Sequence, residues 1–141
     1  MNTEMPGEFI VRPIGTVHSP ISDPAAAPRQ GDEGAPDTWI SFAPELAAAV
    51  RDLRPGDDVL VFTWLHLADR EVLAVHPRDD LSRPLTGVFA TRSSHRPNPI
   101  GLHRVRILTT EDQRIGVGDL EAVDGTPVVD IKPVLEIRDE R

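Results

Sequence analysis

Val59-Leu60-Val61-Phe62-Thr63-Trp64-Leu65 is a continuous apolar run, bounded by Asp57-Asp58 on one side and His66 on the other. Its length suits a strand better than a helix, and its β-branched and aromatic side chains pack well on a pleated surface. It predicts a central strand buried on both faces. Working outward, shorter segments of the same kind recur. Ile10, Ile14 and Val17 mark an opening strand that ends at Ser19-Pro20. Residues 71–75, 86–91, 102–108, 115–120 and 128–131 add further strands, with Gly, Pro and Asp turn signals between them. One clear helix is predicted over residues 41–53. Pro44 suits a first turn, Ala47, Ala48 and Ala49 are strong helix formers, and Leu46, Val50 and Leu53 share a face before Pro55-Gly56 stops it. Many short strands with one or two short helices read as an all-β domain, a barrel or a sandwich.

The 141 residues suit one domain, expected over residues 9–137 between an N-terminal tail, 1–8, and a C-terminal tail, 138–141. Residues 22–38 form a long Pro/Gly/Ala/Asp-rich loop without apolar periodicity, the kind of loop that is functional or mobile. The chain has no cysteine, which excludes disulfides, thiolate metal sites and a cysteine nucleophile. His18, His66, His76, His95 and His103 show no metal-ligand spacing, so no metal is expected. No secretory signal opens the chain, and no apolar run reaches the roughly 20 residues of a membrane helix, so a cytoplasmic protein without a membrane partner is expected.

A formal net charge of −8 argues against a broadly basic, nucleic-acid-wrapping surface. Against that background residues 81–110 stand apart, with no Asp or Glu but with Arg83, Arg92, Arg96, Arg104, Arg106, His95 and His103. Guanidinium groups suit carboxylate and phosphate recognition. Arg104 and Arg106 alternate with Val105 and Ile107 and read as a solvated strand face. Within the segment, Gly87-Val88-Phe89-Ala90-Thr91-Arg92-Ser93-Ser94-His95-Arg96-Pro97-Asn98-Pro99-Ile100-Gly101-Leu102 predicts strand, stiff loop and strand. Each proline pushes the residue before it out of the helical region, so Arg96 and Asn98 are held extended with their side chains aimed. The same loop could equally be a tight structural turn. Asp124-Gly125-Thr126-Pro127 is likewise either a plain hairpin turn or a turn whose acid points into a cleft shared with the arginine loop.

No G-x-S-x-G elbow, P-loop or G-x-G-x-x-G follows a strand, which removes the common hydrolase and nucleotide folds. What remains suits a small polar ligand held by backbone groups and a few aimed side chains.

GVFATRS followed by RPNPIG and then DGTPVVDIKP resembles the signature of the TsaA-like family, also called TrmO or YaeB-like. Ile14-Gly15-Thr16-Val17-His18-Ser19-Pro20 and Pro28-Arg29-Gln30 resemble that family too, and the resemblance covers about residues 9 to 135. It implies a single-sheet β-barrel of TsaA-like type, usually a homodimer, that binds S-adenosylmethionine. It implies methylation of N6 of threonylcarbamoyl-adenosine beside the tRNA anticodon, making the anticodon stem-loop a partner. Carried over by position, it places cofactor contacts on Pro28, Arg29, Gln30, His66, Leu67, Arg92, Leu102, Asp124, Gly125, Thr126 and Pro127. Asp124, His66 and His95 are the candidate proton acceptors, because a ureido N–H must lose its proton near the time of transfer. Longer members carry a C-terminal domain beyond the part this chain resembles.

The alternative is an S-adenosylmethionine-binding module, or a small-molecule methyltransferase, with no tRNA substrate. Two further expectations concern contacts. Val105, Ile107 or neighbouring apolar residues are expected to cover an edge strand against a two-fold mate. Arg92, with no carboxylate within ten residues on either side, either orients the cofactor or pairs with Asp124 or Asp130 to staple the motifs together.

Overall fold

The computed structural model describes residues 7–20 and 38–135. Its strands are β1 (Gly15–His18), β2 (Thr38–Phe42), β3 (Asp58–Trp64), β4 (Ala74–Val75), β5 (Thr86–Gly87), β6 (Ile100–Glu111), β7 (Arg114–Gly118) and β8 (Pro127–Pro133), with a one-turn helix α1 (Ala47–Val50). Six strands form one closed sheet in the order β1-β2-β7-β6-β3-β8, in which β8 pairs back to β1. β4 and β5 make a separate two-residue ladder. The long β6 serves two neighbours, pairing over Ile100 to Arg106 with β3 and over Arg106 to Glu111 with β7. Its register shifts between Ile107 and Thr109, which bends the strand around the closing sheet.

One side chain in two points inward on each strand, and these residues are the core. Val17, Ile40, Phe42, Val59, Val61, Val105, Ile107, Ile115, Val117 and Val128 are all buried there, joined by Leu120 and Ala122 from the segment after β7. Burying such an aliphatic side chain stabilises by about 1.5–3 kcal/mol relative to leaving it exposed.

Several elements differ from the sequence expectation, each for a physical reason. β3 is not buried on both faces. Val59, Val61 and Thr63 point inward, whereas Leu60, Phe62 and Trp64 are half-buried, because a closed sheet has only one interior. The helix is far shorter than 41–53. Ser41 and Phe42 belong to β2, a 3₁₀ turn spans Pro44–Leu46, and α1 occupies Ala47–Val50. Ladder bonds to β1 and β7 on both sides of β2 outweigh the local helix propensity there. Of the expected apolar face, Val50 and Leu53 do pack on the core.

The opening strand starts only at Gly15, and Ile10 is exposed. The strand expected at 86–91 stops at Gly87, where a 3₁₀ turn over Val88–Ala90 buries Val88 and turns Phe89 outward. Thr91 secures that turn by donating both its N–H and its hydroxyl to the Val88 carbonyl, at 3.0 and 2.8 Å. Val105 and Ile107 are core residues, at 2% and 0% exposure, and cannot cover an edge against a second copy. Arg104 and Arg106 do lie outward as expected, and Arg106 forms a two-pronged pair with Asp58 across the β3–β6 ladder.

Candidate functional site

Every pairing in the closed sheet is antiparallel, so β1, β3 and β7 run one way and β2, β6 and β8 the other. The connections β1–β2, β3–β6 and β7–β8 therefore all leave one end of the barrel. The β2–β3 connection with α1 and the tight β6–β7 hairpin occupy the opposite end. Every candidate contact or proton acceptor among the described residues belongs to the first end. Two concavities at the other end, one lined by Val50, Leu53 and Gln113 and one by Ala49, Ile131 and Val134, touch none of them. The described chemistry-bearing side chains lie at the loop end, away from both hollows.

The 123–127 turn is fastened to β1. Gly125, at φ 86°, takes the left-handed conformation that favours glycine and donates its N–H to the Val17 carbonyl at 2.8 Å. The Val17 N–H returns a bond to the Thr126 carbonyl at 2.9 Å. Thr126 is buried and donates its hydroxyl to the Val123 carbonyl at 2.7 Å. Pro127 opens β8 opposite Thr16. These bonds hold the exposed Asp124 where its Oδ1 accepts the Ser19 N–H at 3.0 Å. Two motifs 105 positions apart thus meet.

On the adjacent β3–β6 connection, residues 65–70 and 95–99 are laced together. The Leu65 N–H donates to the Pro99 carbonyl at 2.8 Å, and the Asp69 N–H to His95 Nδ1 at 2.9 Å. His66 and Leu67 project from the turn, and Leu67 is 58% exposed. The bond from Asp69 fixes the His95 tautomer. Its Nδ1 is the acceptor, so in the neutral ring Nε2 carries the hydrogen and presents a donor outward. That geometry disfavours His95 as a base and leaves Asp124 and His66.

Arg96 and Asn98 are not aimed at a ligand. Arg96 donates to the carbonyls of Thr91 and Ser93 at 3.1 and 3.0 Å, and Asn98 Oδ1 accepts from Arg70 at 3.0 Å. Both act as internal fasteners of the stiff loop. Arg92, between the two carbonyls that Arg96 grips, is exposed and has no ion pair among the described residues. Pairing with Asp124 or Asp130 is not what the structure has, since Asp130 faces Lys132 at 3.2 Å and Asp124 takes the Ser19 amide.

Beneath this loop His103 points into the barrel from β6, and its Nε2 lies 2.9 Å from the buried Thr63 hydroxyl. Gly101, its inward neighbour, has no room for a Cβ, which would strike Thr63 Oγ1 and lie 2.9 Å from His103 Nε2. Burial pushes His103 down to about 4, with the Arg92 charge adding to the shift. The ring is therefore neutral at physiological pH. Leu102 lies on the outer wall, 40% exposed and opposite Phe62. Pro28, Arg29 and Gln30 lie outside the described residues.

Pattern reading singles out neither His103 nor Arg70 as a site residue. The parity of Gly101, His103, Val105 and Ile107 could have placed the histidine inside, but no local pattern marks Arg70, whose hydrogen-bond partners lie 27 and 28 positions away.

A closed antiparallel sheet, an arginine without an acid partner among the described residues and a carboxylate on a fixed turn are compatible with a β domain that takes a small polar ligand. Comparison with known proteins narrows the class. Residues 16–140 match the tRNA-methyltransferase O N-terminal domain, and the chain belongs to that family. A probable S-adenosyl-L-methionine-binding protein of Methanothermobacter thermautotrophicus is 43% identical over 129 residues, covering 92% of both chains. An S-adenosyl-L-methionine-binding protein of Archaeoglobus fulgidus is 41% identical over 124 residues, covering 88% of both. The crystal structure of TrmO from Pseudomonas aeruginosa superposes with a TM-score of 0.72 at 31% identity, covering 94% of this chain and 58% of that one. Another TrmO crystal structure gives 0.73 at 33% identity, with coverage of 95% and 62%. The chain thus spans about three fifths of those solved TrmO chains.

Proposed function

We propose that the loop-bearing end of the barrel binds S-adenosylmethionine and that the chain methylates N6 of threonylcarbamoyl-adenosine beside the tRNA anticodon. The observation that carries this reading is the convergence of motifs. Segments from opposite ends of the sequence meet at Ser19 and Asp124, at the same barrel end as Arg92 and the 65–70 turn. The relatives named for S-adenosyl-L-methionine binding, and the TrmO structures, support the cofactor and the reaction class.

The donor set suits this cofactor. Arg92 offers a guanidinium for a carboxylate, Leu67 and Leu102 expose apolar surface to a flat base, and Asp124 has a carboxylate oxygen to spare. When bound, S-adenosylmethionine supplies a methyl group on a positively charged sulfur, open to in-line displacement. The protein's part is positioning and electrostatics. Arg92 anchors, the 123–127 turn orients, and Asp124 or His66 receives the proton. Arg92→Ala is expected to weaken cofactor binding by roughly 1.5–3 kcal/mol, the worth of a charge-assisted hydrogen bond. Calorimetric titration measures it. The cofactor-free melting temperature should hardly move, because Arg92 supports no other described residue through an ion pair.

Nucleoside mass spectrometry on tRNA from a deletion strain tests the substrate, and an unchanged methylated-nucleoside peak would remove tRNA from the reading. The second reading, a cofactor-binding module without tRNA, is favoured by the net charge of −8. Tight tRNA binding that weakens steeply with salt counts against it. A tRNA substrate places the protein in the cytoplasm. For the homodimer, Leu73, Leu81, Leu85 and Phe89 offer the mating surface in place of Val105 and Ile107, being exposed on the β4–β5 arm. Light scattering should return twice the chain mass, and the single-chain mass at micromolar concentration would dismiss it.

A further inference from the structure

Arg70 is exposed, yet its side chain makes three directed contacts. Its Nε donates to the Pro97 carbonyl at 2.6 Å, a terminal nitrogen donates to Asn98 Oδ1 at 3.0 Å, and the guanidinium lies 5.2 Å from the centre of the Trp64 ring. Trp64 closes β3, so one end of this clamp rests on the barrel wall. The other end grips the proline loop, and the loop continues the connection. Arg96, the residue before Pro97, holds the carbonyls of Thr91 and Ser93. Arg92 sits between those two carbonyls. A continuous line of contacts therefore runs from Trp64 through Arg70, Pro97-Asn98 and Arg96 to the backbone that carries Arg92. The same clamp closes the 65–70 turn that presents His66 and Leu67.

Exposed polar contacts of this kind contribute little to global stability. A rigid fork that reaches two acceptors and stacks on an indole does restrict geometry, and lysine cannot reproduce it. We propose that Arg70 is a positioning residue, which sets the place from which Arg92 meets the methyl donor by pinning the proline loop to Trp64. This rests on the reading of Arg92 as the cofactor anchor.

The test has two independent arms. In the cofactor-free protein, Arg70→Ala should speed amide hydrogen exchange at Ser93, His95 and Ile100 about tenfold, leaving Val61, Val105 and Val117 unchanged. In titrations with S-adenosylmethionine, Arg70→Ala should weaken binding about tenfold in the parent protein and less than twofold in an Arg92→Ala background. Arg70→Lys, which can reach one acceptor, should recover part of the loss. Unchanged loop exchange in Arg70→Ala, or an equal loss with and without Arg92, overturns the proposal. If the parent protein does not bind S-adenosylmethionine, the functional reading fails instead, and the exchange arm still decides whether Arg70 pins the loop.

Discussion

An Asp124→Asn protein is expected to fold and still bind the methyl donor, yet transfer methyl groups about 10²–10⁴-fold more slowly, the usual cost of removing a general base. The substitution is chosen for what it keeps. Asn retains an Oδ1 that can accept the Ser19 N–H, now bonded at 3.0 Å, and the turn itself is held by Gly125 and Thr126 bonds to Val17. What disappears is the charge and basicity of the second carboxylate oxygen. Of the other candidates, His95 has its Nδ1 lone pair engaged by the Asp69 N–H. His66 is exposed at the head of the 65–70 turn and is the competitor. Single-turnover methyl transfer to unmethylated tRNA, read beside calorimetric affinity and melting temperature, separates the cases. Full activity in Asp124→Asn with a collapse in His66→Ala would assign the proton to the histidine. A large drop in melting temperature would assign Asp124 to the scaffold.

The class of the fold is legible in the sequence because alternation is a local property. Val105 and Ile107 carry their period in plain view between Arg104 and Arg106, and both are inward, whereas the unbroken apolar run from Val59 to Leu65 shows a strand but not its inward side. What a period does not say is which side is the interior. The alternation of Arg104 and Arg106 with Val105 and Ile107 fits a barrel core and a two-fold interface equally well. Only the closing of β8 onto β1 decides between them. The helix is shorter than its sequence suggests for a related reason: Ala-rich propensity is local, whereas β2 is stabilised by β1 and β7, which no window around Ser41 contains. The site divides the same way. Prolines mark the stiff loop and Asp-Gly marks the turn, since both act on their own backbone. The uses of Arg96 and Asn98 depend on carbonyls and on Arg70, brought close only by the fold. Stiffness was legible and aim was not.

His103 should make the protein acid-labile. In the folded state burial, with help from Arg92, holds its pKa at about 4 against 6.5 for an unperturbed histidine. Below pH 6.5 the unfolded chain takes up a proton that the folded chain refuses, so falling pH favours unfolding. The loss accumulates from about pH 6.5 to about 4 and then levels off, because below that point both states are protonated. At about 1.36 kcal/mol per pKa unit, this one side chain removes about 3 kcal/mol, a large share of the stability of a small domain. Above pH 6.5 it contributes no pH dependence. His103→Gln is the reference, since its amide can bond Thr63 Oγ1 without titrating. Denaturant unfolding of both proteins at pH 7, 5.5 and 4 should show the gap between them change by about 3 kcal/mol across the series. Parallel curves would mean that the folded barrel protonates His103 readily. Arg92→Ala should reduce the histidine's contribution to the slope only in part, since burial is the larger cause. A protonated ring beneath Arg92 would set two cations against each other at the loop proposed to anchor the cofactor. Because the folded barrel takes up this proton only near pH 4, affinity for S-adenosylmethionine should hold from pH 7 to about 5 and decline only near pH 4, below the interval over which most of the stability is lost.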